Sequence, residues 1–566
     1  MFFFNKKRKS HSSEEFNPDE IFVDSLNPSG LNTQQMEGVI EKPLSLFSLR
    51  FLKFLIFAVF IIFLGKSFSL QVMNGKYFQR LANENLLRRI PLFAERGIIY
   101  DRNGVELAWN ESRDDISEFS KRYYKGEAFG QLLGYVRYPQ KDSKGNYWSF
   151  QTVGEYGIEK KYNEILSGKN GSQLVEYGAN GKRISENLIF PAESGENVKV
   201  TIDANLQETL YESLREYVSA HHFKGAGAAI MDVRNGDLLA LVSYPSFDSN
   251  VMTNERKSIK QYLKSSQKPF FNRVVSGLYP PGSTVKPFIA LAALTEGIID
   301  RNTKILSTGK IEVKNPYNPS RPSIYRDWKK GGHGLTDVRK AIAESVNTFF
   351  YAIGGGYGSQ KGLGIRKIDE YLKRFRVGER VEFSLFPEKD GVIPSPEWKE
   401  KTFHDPWRLG DTYISSIGQF GFLVSPLQTL RSFSAIANKS FFVQPHILIG
   451  QQVEREPLQG IKEKDLNLVR EGMRDVVRKG TAQNLLIDGV SIAAKSGTAQ
   501  VGVHNEYYDS WIVGFLPYKK PRYVFVLLLE KGQKEYGGSA SSAFRNFLLR
   551  FKEEYPESFS EYFADK

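Results

Sequence analysis

The chain has 566 residues, no cysteine, and 77 Lys+Arg against 64 Asp+Glu for a formal net charge of +13. At about 150 residues per domain this is three or four units, and 41% hydrophobic with 25% charged residues excludes both a disordered chain and a polytopic membrane protein. The missing cysteine rules out a thiol nucleophile, a zinc ribbon, an iron–sulfur cluster and a disulfide framework, and although the positive balance suits an anionic neighbour, no short Lys/Arg block specifies nucleic acid.

Residues 1–45 are polar, with Pro18 and Pro28-Ser29-Gly30, and read as a flexible tail. From Phe54 to Gly65 the run FLIFAVFIIFLG carries no charge, and the wider stretch Phe51–Leu70 is broken only by Lys53 and Lys66 near its ends. A span needs about 20 apolar residues, and lysines near the ends reach the headgroups, so residues 46–70 are expected to form a transmembrane anchor. A cleaved signal peptide would need an n-region some fifty residues long, unlike a removable signal. Lys6, Lys7, Arg8, Lys9, Arg50 and Lys53 precede the anchor, which keeps the N-terminus cytoplasmic and exports everything after about Leu70. The body is then held outside the cytoplasmic membrane, in the periplasm of a Gram-negative cell.

After the anchor, Ala94–Trp109 carries two short apolar pieces around Asp101-Arg102-Asn103-Gly104, a hairpin signal. With the Gly-punctuated Val153–Tyr162 it suggests an irregular β-rich module over 71–198. Past Thr201, Asp203–Val218 has helical spacing with Leu206, Leu210, Leu214 and Tyr217 on one face. Ala226–Val233 and Asp237–Ser243 flank Arg234-Asn235-Gly236, a second hairpin. A long mixed helical and loop region runs to about Arg478, followed by strands over Gly489–Val501, Ser510–Phe515 and Tyr523–Glu530 and a last helix over Ala543–Phe551. Strands at both ends with helices between predict an α+β domain over 199–566 whose sheet joins its first and last segments.

Three short motifs carry the chemistry. Tyr279-Pro280-Pro281-Gly282 is an entry turn before Ser283-Thr284-Val285-Lys286-Pro287 and the apolar run Phe288–Leu294, so a helix is expected from near Ser283. One turn apart on that helix, Lys286 could take the proton of Ser283 if burial or neighbouring cations lower its pKa. Ser-x-x-Lys recurs at Ser265–Lys268 and Ser307–Lys310, without the turn and the apolar helix. Ser345-Val346-Asn347 sets a hydroxyl and an amide at a helix end, able to relay a proton and hold a substrate amide, although a cap would look the same and Ser185-Glu186-Asn187 matches equally. Lys495-Ser496-Gly497-Thr498 offers a cation and hydroxyls to a carboxylate, and Gly497 would let a substrate backbone approach the strand. A strand-edge lysine with a bulge glycine is the alternative. The three stand in order, separated by 62 and 150 residues, as in the active-serine set of penicillin-binding proteins and serine β-lactamases.

From about Ala94 onward the sequence resembles a class B penicillin-binding protein, a monofunctional peptidoglycan D,D-transpeptidase. The likeness also rests on Glu95–Arg102, Gly154–Glu159, Thr201–Gln207, Gly410-Asp411-Thr412, Ser416–Gln419 and Ser425–Gln428. Pro280-Pro281, Trp328–Gly334 and the serine within Lys-Ser-Gly are similar to the elongation branch. The resemblance implies an anchor, a β-rich pedestal and a transpeptidase domain built as an antiparallel sheet with helices on both faces. It implies Ser283 as nucleophile, Lys286 as its base, Ser345 and Asn347 as the proton network and substrate amide holder, and Lys495, Ser496, Gly497 and Thr498 as carboxylate binders. The backbone N–H groups of Ser283 and Thr498 would form the oxyanion hole, β-lactams would acylate Ser283, and no cofactor is needed. Peptidoglycan stem peptides are the implied substrates and a polytopic membrane glycosyltransferase the implied partner.

Three departures stand out. Only 27 residues lie between Gly104 and Leu132, so the head of the pedestal is expected to be trimmed. Phe420 stands where the family usually has glycine. Asp327 and His333 resemble two metal ligands of some elongation-type members, but the completing cysteine has no counterpart, so a surface or loop role is expected and no metal. A septal transpeptidase, a β-lactamase or β-lactam sensor, and a scaffold that mainly activates a glycosyltransferase remain as alternatives.

Overall fold

The computed structural model describes residues 46–79, 87–111, 119–177, 183–315, 318–453 and 455–565; the tail expected over 1–45, with Lys6, Lys7, Arg8 and Lys9, lies outside the described residues. Helix α1 (Leu46–Phe68) continues through a wider turn to Met73, and none of its side chains is buried. Its 28 residues make it, among the described residues, the one helix long and apolar enough to cross a membrane. At 1.5 Å per residue it is roughly 42 Å long, beyond the ~30 Å of a hydrocarbon core. α1 belongs to one compact unit; residues 89–175 and 185 onward form a second, described next.

The expected first hairpin is present. Strand β1 (Ile99–Tyr100) pairs antiparallel with β2 (Glu106–Glu111), which pairs with β3 (Lys121–Tyr124), and β4 (Val198–Lys199) closes the sheet parallel to β1. Asp101 Oδ1 accepts from the N–H groups of Asn103 and Val105, the short-range bonding that favours Asp at turns. Helix α2 (Gly157–Lys161) turns Glu159 inward, where its carboxylate receives Arg96 Nε at 2.6 Å and Arg122 Nε at 2.8 Å. Burial pushes the Glu159 carboxyl up, but the attraction of Arg122 and Arg96 outweighs it and holds the group below its ordinary value.

Helix α3 (Ala204–Ala220) opens on Asp203, whose side chain caps Leu206 N, and buries Leu206, Leu210, Leu214 and Tyr217 as the spacing predicted. It crosses to the pedestal through polar contacts. Asp101 Oδ2 accepts from Ala204 N at 3.0 Å and Gln207 Nε2 donates to the Ala128 carbonyl at 2.9 Å; within its own domain the same amide holds the Leu241 carbonyl at 3.0 Å. Strands β5 (Gly225–Asp232) and β6 (Leu238–Tyr244) form the second hairpin, with Gly236 at φ +82° in its turn. The middle of the chain contributes α4 (Lys286–Thr295), α5 (Val338–Ala343), α6 (Asn347–Gly355), α7 (Pro426–Asn438) and α8 (Glu463–Lys479).

The sheet is completed by β7 (Ala493–Val501), β8 (Tyr507–Leu516) and β9 (Tyr523–Gly532) in the antiparallel order β6-β5-β9-β8-β7. First and last segments therefore share one sheet, as predicted. Successive side chains of a strand face opposite sides, and every residue from Tyr523 to Leu529 is buried, so both faces are covered. α9 (Ala540–Glu554) stacks Phe544 on Phe525 with ring centroids 4.0 Å apart and packs with α3; α7 packs on β5, β8 and β9, and α8 on β7. Several boundaries differ from expectation. The strand expected from Gly489 begins at Ala493, the one expected from Ser510 begins at Tyr507, and α9 is not last: α10 (Pro556–Phe563) folds back, burying Phe559, Tyr562 and Phe563.

Glu159→Gln removes the charge that compensates two buried guanidinium groups. A lowering of stability by about 3–5 kcal/mol is expected, read as a fall in the thermal unfolding midpoint of the detergent-solubilised chain; an unchanged midpoint contradicts this account.

Candidate active site

The entry turn does not lead straight into α-helix. Gly282–Val285 form a tighter 3₁₀ turn, and the α-helix begins at Lys286 with Pro287 in its first turn. Thr284 closes the turn onto the Pro281 carbonyl with both its N–H and its hydroxyl, and Trp511 Nε1 holds the Pro280 carbonyl at 3.0 Å. α4 is apolar around nearly its whole circumference and buried from Lys286 to Leu294, which carries the lysine into the interior.

Three distant segments converge there. Lys286 Nζ donates to the Ser345 carbonyl at 2.8 Å, Ser345 Oγ at 3.2 Å and Asn347 Oδ1 at 2.7 Å. Lys495 Nζ donates to the same Ser345 Oγ at 3.0 Å and to the Ser496 carbonyl at 2.8 Å. Ser345 is not a cap: it joins α5 to α6 at φ +55°, a conformation rare outside glycine and often found at functional sites. Both lysines are 0% exposed. Burial, and then the charge of Lys495, lower the Lys286 pKa well below the ordinary lysine value, and burial lowers Lys495 to about 7. Ser283 Oγ makes no hydrogen bond among the described residues and stands at the wall of a cleft of about 550 Å³, shared with Ser345, Asn347, Ser496, Gly497 and Thr498. The arrangement offers an unengaged hydroxyl, an amine that gives up its proton near neutrality, and a hydroxyl bridging two amines.

Every residue expected from the three motifs is thus in one place, and their rivals are not. Ser265 ends a short helix (256–264), Ser307 Oγ is held by Thr348 Oγ1 at 2.8 Å, and Ser185–Asn187 lie in a separate strand. Gly497 also serves the packing of the chain itself. A Cβ there would meet Thr284 Cγ2 at 2.8 Å and the Pro281 carbonyl at 2.9 Å, so its bare Cα admits the serine turn of the chain itself. Asp327 and His333 are not on the surface: both are buried, and Asp327 Oδ2 accepts from Thr348 N and Oγ1 at 2.9 Å each, fixing the start of α6. Among the described residues no three His, Asp or Glu side chains form a group that could hold a metal ion.

Sequence reasoning missed Thr481, whose hydroxyl lies 2.6 Å from Ser496 Oγ, and did not single out Trp328 and Gln419, which also line the cleft. Thr481 follows the end of α8 without any motif that marks it. Trp328 and Gln419 sit inside segments that carry the resemblance, but nothing local says that they face the serine.

A family model described as the penicillin binding protein transpeptidase domain matches residues 226–549, and one described as the penicillin-binding protein dimerisation domain matches 115–200. The Escherichia coli K12 protein named peptidoglycan D,D-transpeptidase MrdA is 30% identical over 576 aligned residues, which cover 82% of this chain and 88% of the relative. Among solved structures, Helicobacter pylori PBP2 in complex with MreC is 27% identical with a TM-score of 0.67, covering 83% of this chain and 99% of that one. Pseudomonas aeruginosa PBP2 in complex with WCK 5153 is 29% identical with a TM-score of 0.65, covering 82% and 96%.

Gly497→Ala puts a methyl group into the serine turn. Reaction of Ser283 with an acylating agent is expected to slow about tenfold or more, ~1.4 kcal/mol in the barrier, with the circular dichroism spectrum retained; an unaltered rate shows that strand and turn are not in the close packing described.

Proposed function

The chain belongs to the penicillin-binding protein transpeptidase family, and on that footing we propose that it is a membrane-anchored peptidoglycan D,D-transpeptidase of side-wall elongation, working through an acyl-enzyme on Ser283. The observation that carries the site assignment is the pair of buried lysines meeting at Ser345 Oγ beside the free hydroxyl of Ser283.

Ser283 Oγ attacks the carbonyl between the two terminal D-alanines while neutral Lys286 takes its proton. Burial, and then the charge of Lys495, favour the neutral form of Lys286. The developing oxyanion is received by the backbone N–H groups of Ser283 and Thr498, donors worth about 3–4 kcal/mol each where such groups have been removed. Ser345, between the two amines, passes the proton to the leaving D-alanine. Asn347 holds the peptide amide, and Lys495, Ser496 and Thr498 hold the terminal carboxylate, with Thr481 fixing the Ser496 hydroxyl. The amine of a second stem peptide then attacks the ester, Lys286 takes its proton and returns it to Ser283 Oγ as that oxygen leaves, and the cross-link closes. Penicillin enters the same path and stays on Ser283. α1 holds the body outside the cytoplasmic membrane, with the N-terminus inside, and a polytopic glycosyltransferase of the elongation machinery supplies the glycan. The complex of the Helicobacter pylori relative with MreC supports a further protein partner.

Labelled penicillin is expected to add one long-lived adduct on Ser283 by peptide mass spectrometry, none in Ser283→Ala, and Lys286→Ala should slow acylation by about 10²–10⁴. An adduct on another residue, or rapid turnover of the drug, removes this assignment. Because Lys495 titrates at about 7 in the free enzyme, it carries its charge below that pH and loses it above. kcat/KM for a carboxylate-terminated peptide should therefore fall as pH rises through about 7, and a profile that stays flat from 7 to 9 contradicts the role of Lys495.

A further inference from the structure

The left-handed conformation of Ser345, at φ +55°, persists only if the chain on both sides of it is held. On the side before Ser345, Glu344 is held twice. Its carboxylate receives His333 Nδ1 at 2.6 Å and its carbonyl receives Trp328 Nε1 at 3.1 Å. On the side after Asn347, the N–H and the hydroxyl of Thr348 donate to Asp327 Oδ2 at 2.9 Å each. The same hydroxyl meets Ser307 Oγ at 2.8 Å, and Ser307 Oγ in turn receives His333 N at 3.2 Å.

Both sets of ties end on one loop, 327–333. His333 closes that loop on itself, since Nε2 stands 3.4 Å from Asp327 Oδ1, and its side chain is 1% exposed. Lys340 of α5 fixes the far end by donating to the His333 carbonyl at 2.6 Å. One rigid ring thus stands between the carboxylate that precedes Ser345 and the carboxylate that pins the helix following Asn347. An imidazole suits the place because its two nitrogens lie on different edges and both can donate, whereas a carboxylate only accepts. Among the described residues the Glu344 carboxylate has no other hydrogen-bond or ion-pair partner, so losing the ring releases it.

We propose that His333 is a positioning residue of the acyl-transfer reaction. By bridging Glu344 and Asp327 it holds Ser345 Oγ between the two lysines and Asn347 Oδ1 against Lys286, without itself touching substrate or the reacting atoms. The inference rests on the reading of Ser283 as the nucleophile. The contacts it protects are short: Ser345 Oγ lies 3.2 and 3.0 Å from the two amines, and Asn347 Oδ1 lies 2.7 Å from Lys286. A displacement of about 1 Å would open them, and misplacement on that scale can cost roughly a hundredfold in rate.

The test follows acylation of Ser283 by labelled penicillin in the full-length chain in detergent, over a range of drug concentrations that separates the limiting rate from the half-saturating concentration. His333→Ala should lower the limiting rate about ten- to a hundredfold and move the half-saturating concentration less than about threefold. His333→Asn keeps an N–H donor for Glu344 and should recover to within about fivefold of the wild-type limiting rate. Glu344→Ala should lower that rate about three- to tenfold, and adding it to His333→Ala should bring no further loss, because the two residues act through one bond. A folded His333→Ala that keeps the wild-type limiting rate, a loss confined to the half-saturating concentration, or an asparagine variant no better than alanine overturns the proposal. If His333→Ala does not fold, as read by circular dichroism, Glu344→Ala decides at its part-exposed position, and a wild-type limiting rate there overturns the proposal. Failure of penicillin to label wild-type Ser283 is a distinct result, which removes the reading of the cleft and this inference with it.

Discussion

Two ammonium groups kept out of water around one hydroxyl set the terms for the rest of the molecule. Lys286 and Lys495 reach Ser345 Oγ from 3.2 and 3.0 Å, so their nitrogens stand no more than about 6 Å apart. At that separation, with an effective dielectric of 20, two positive charges repel by about 3 kcal/mol, roughly two pKa units. Burial acts in the same direction and is the larger effect. The pair therefore holds one proton more readily than two, and Lys286, which feels both burial and its neighbour, is the one left able to accept. A single lysine at the surface could not serve: at its ordinary pKa of about 10.4 it would be occupied by a proton at neutral pH.

Keeping such a pair requires a frame that does not relax around it. Removing either amine from water costs several kcal/mol, and local flexibility would let solvent in. α4 is buried along its length, β7 is hydrogen-bonded to β8 over its whole span, and α6 is pinned at its start by Asp327 through Thr348. Ser345 sits where the chain must turn in the left-handed region to join α5 to α6. Its hydroxyl is presented by backbone geometry, which explains why a residue with a small polar side chain occupies a joint that glycine would fill more easily.

Much of this was legible because each part of it is local. The Pro-Pro-Gly turn before an apolar run, the heptad-like face of Leu206, Leu210 and Leu214, and the Asn-Gly hairpin at Asn235 are decided by neighbours in the chain. The order of the three motifs supplied the one long-range fact, that segments as far apart as Ser283 and Lys495, 212 residues, come together. What escaped depends on contacts with no local signature. Thr481 matters only because α8 ends opposite Ser496, and Arg122 only because α2 turns Glu159 toward it. Gly497 was legible as a place of close approach, but not that the serine turn packs against it. Asp327 and His333 do lie in a loop, as expected, but not at the surface: Thr348, 21 residues on, binds Asp327 and Glu344, 11 residues on, binds His333 Nδ1 in the interior.

Phe420 shows how the fold accommodates a residue that local rules disfavour. Its φ of +67° is expensive for a side chain of that size, of order 1–3 kcal/mol. Trp398 and Trp407 meet its ring edge-on at 5.9 and 5.7 Å, contacts worth about 0.5–1.5 kcal/mol each beyond burial, and Lys399 Nζ lies 5.6 Å from its centre. Those sums are comparable, so the aromatic box offsets the backbone strain. Lys399 is itself fixed by Asp405 and Asp411 at 2.7 Å, and Phe420 follows Gly418 and Gln419. Gly418 has no room for a side chain against the Gly282 carbonyl, 2.1 Å from where its Cβ would lie, and its own carbonyl receives Gly282 N at 3.0 Å. The ring therefore does what glycine flexibility would leave undone: it ties the loop that backs Ser283 to a charged and aromatic cluster on the far side, so that Ser283 is held from both strand and loop.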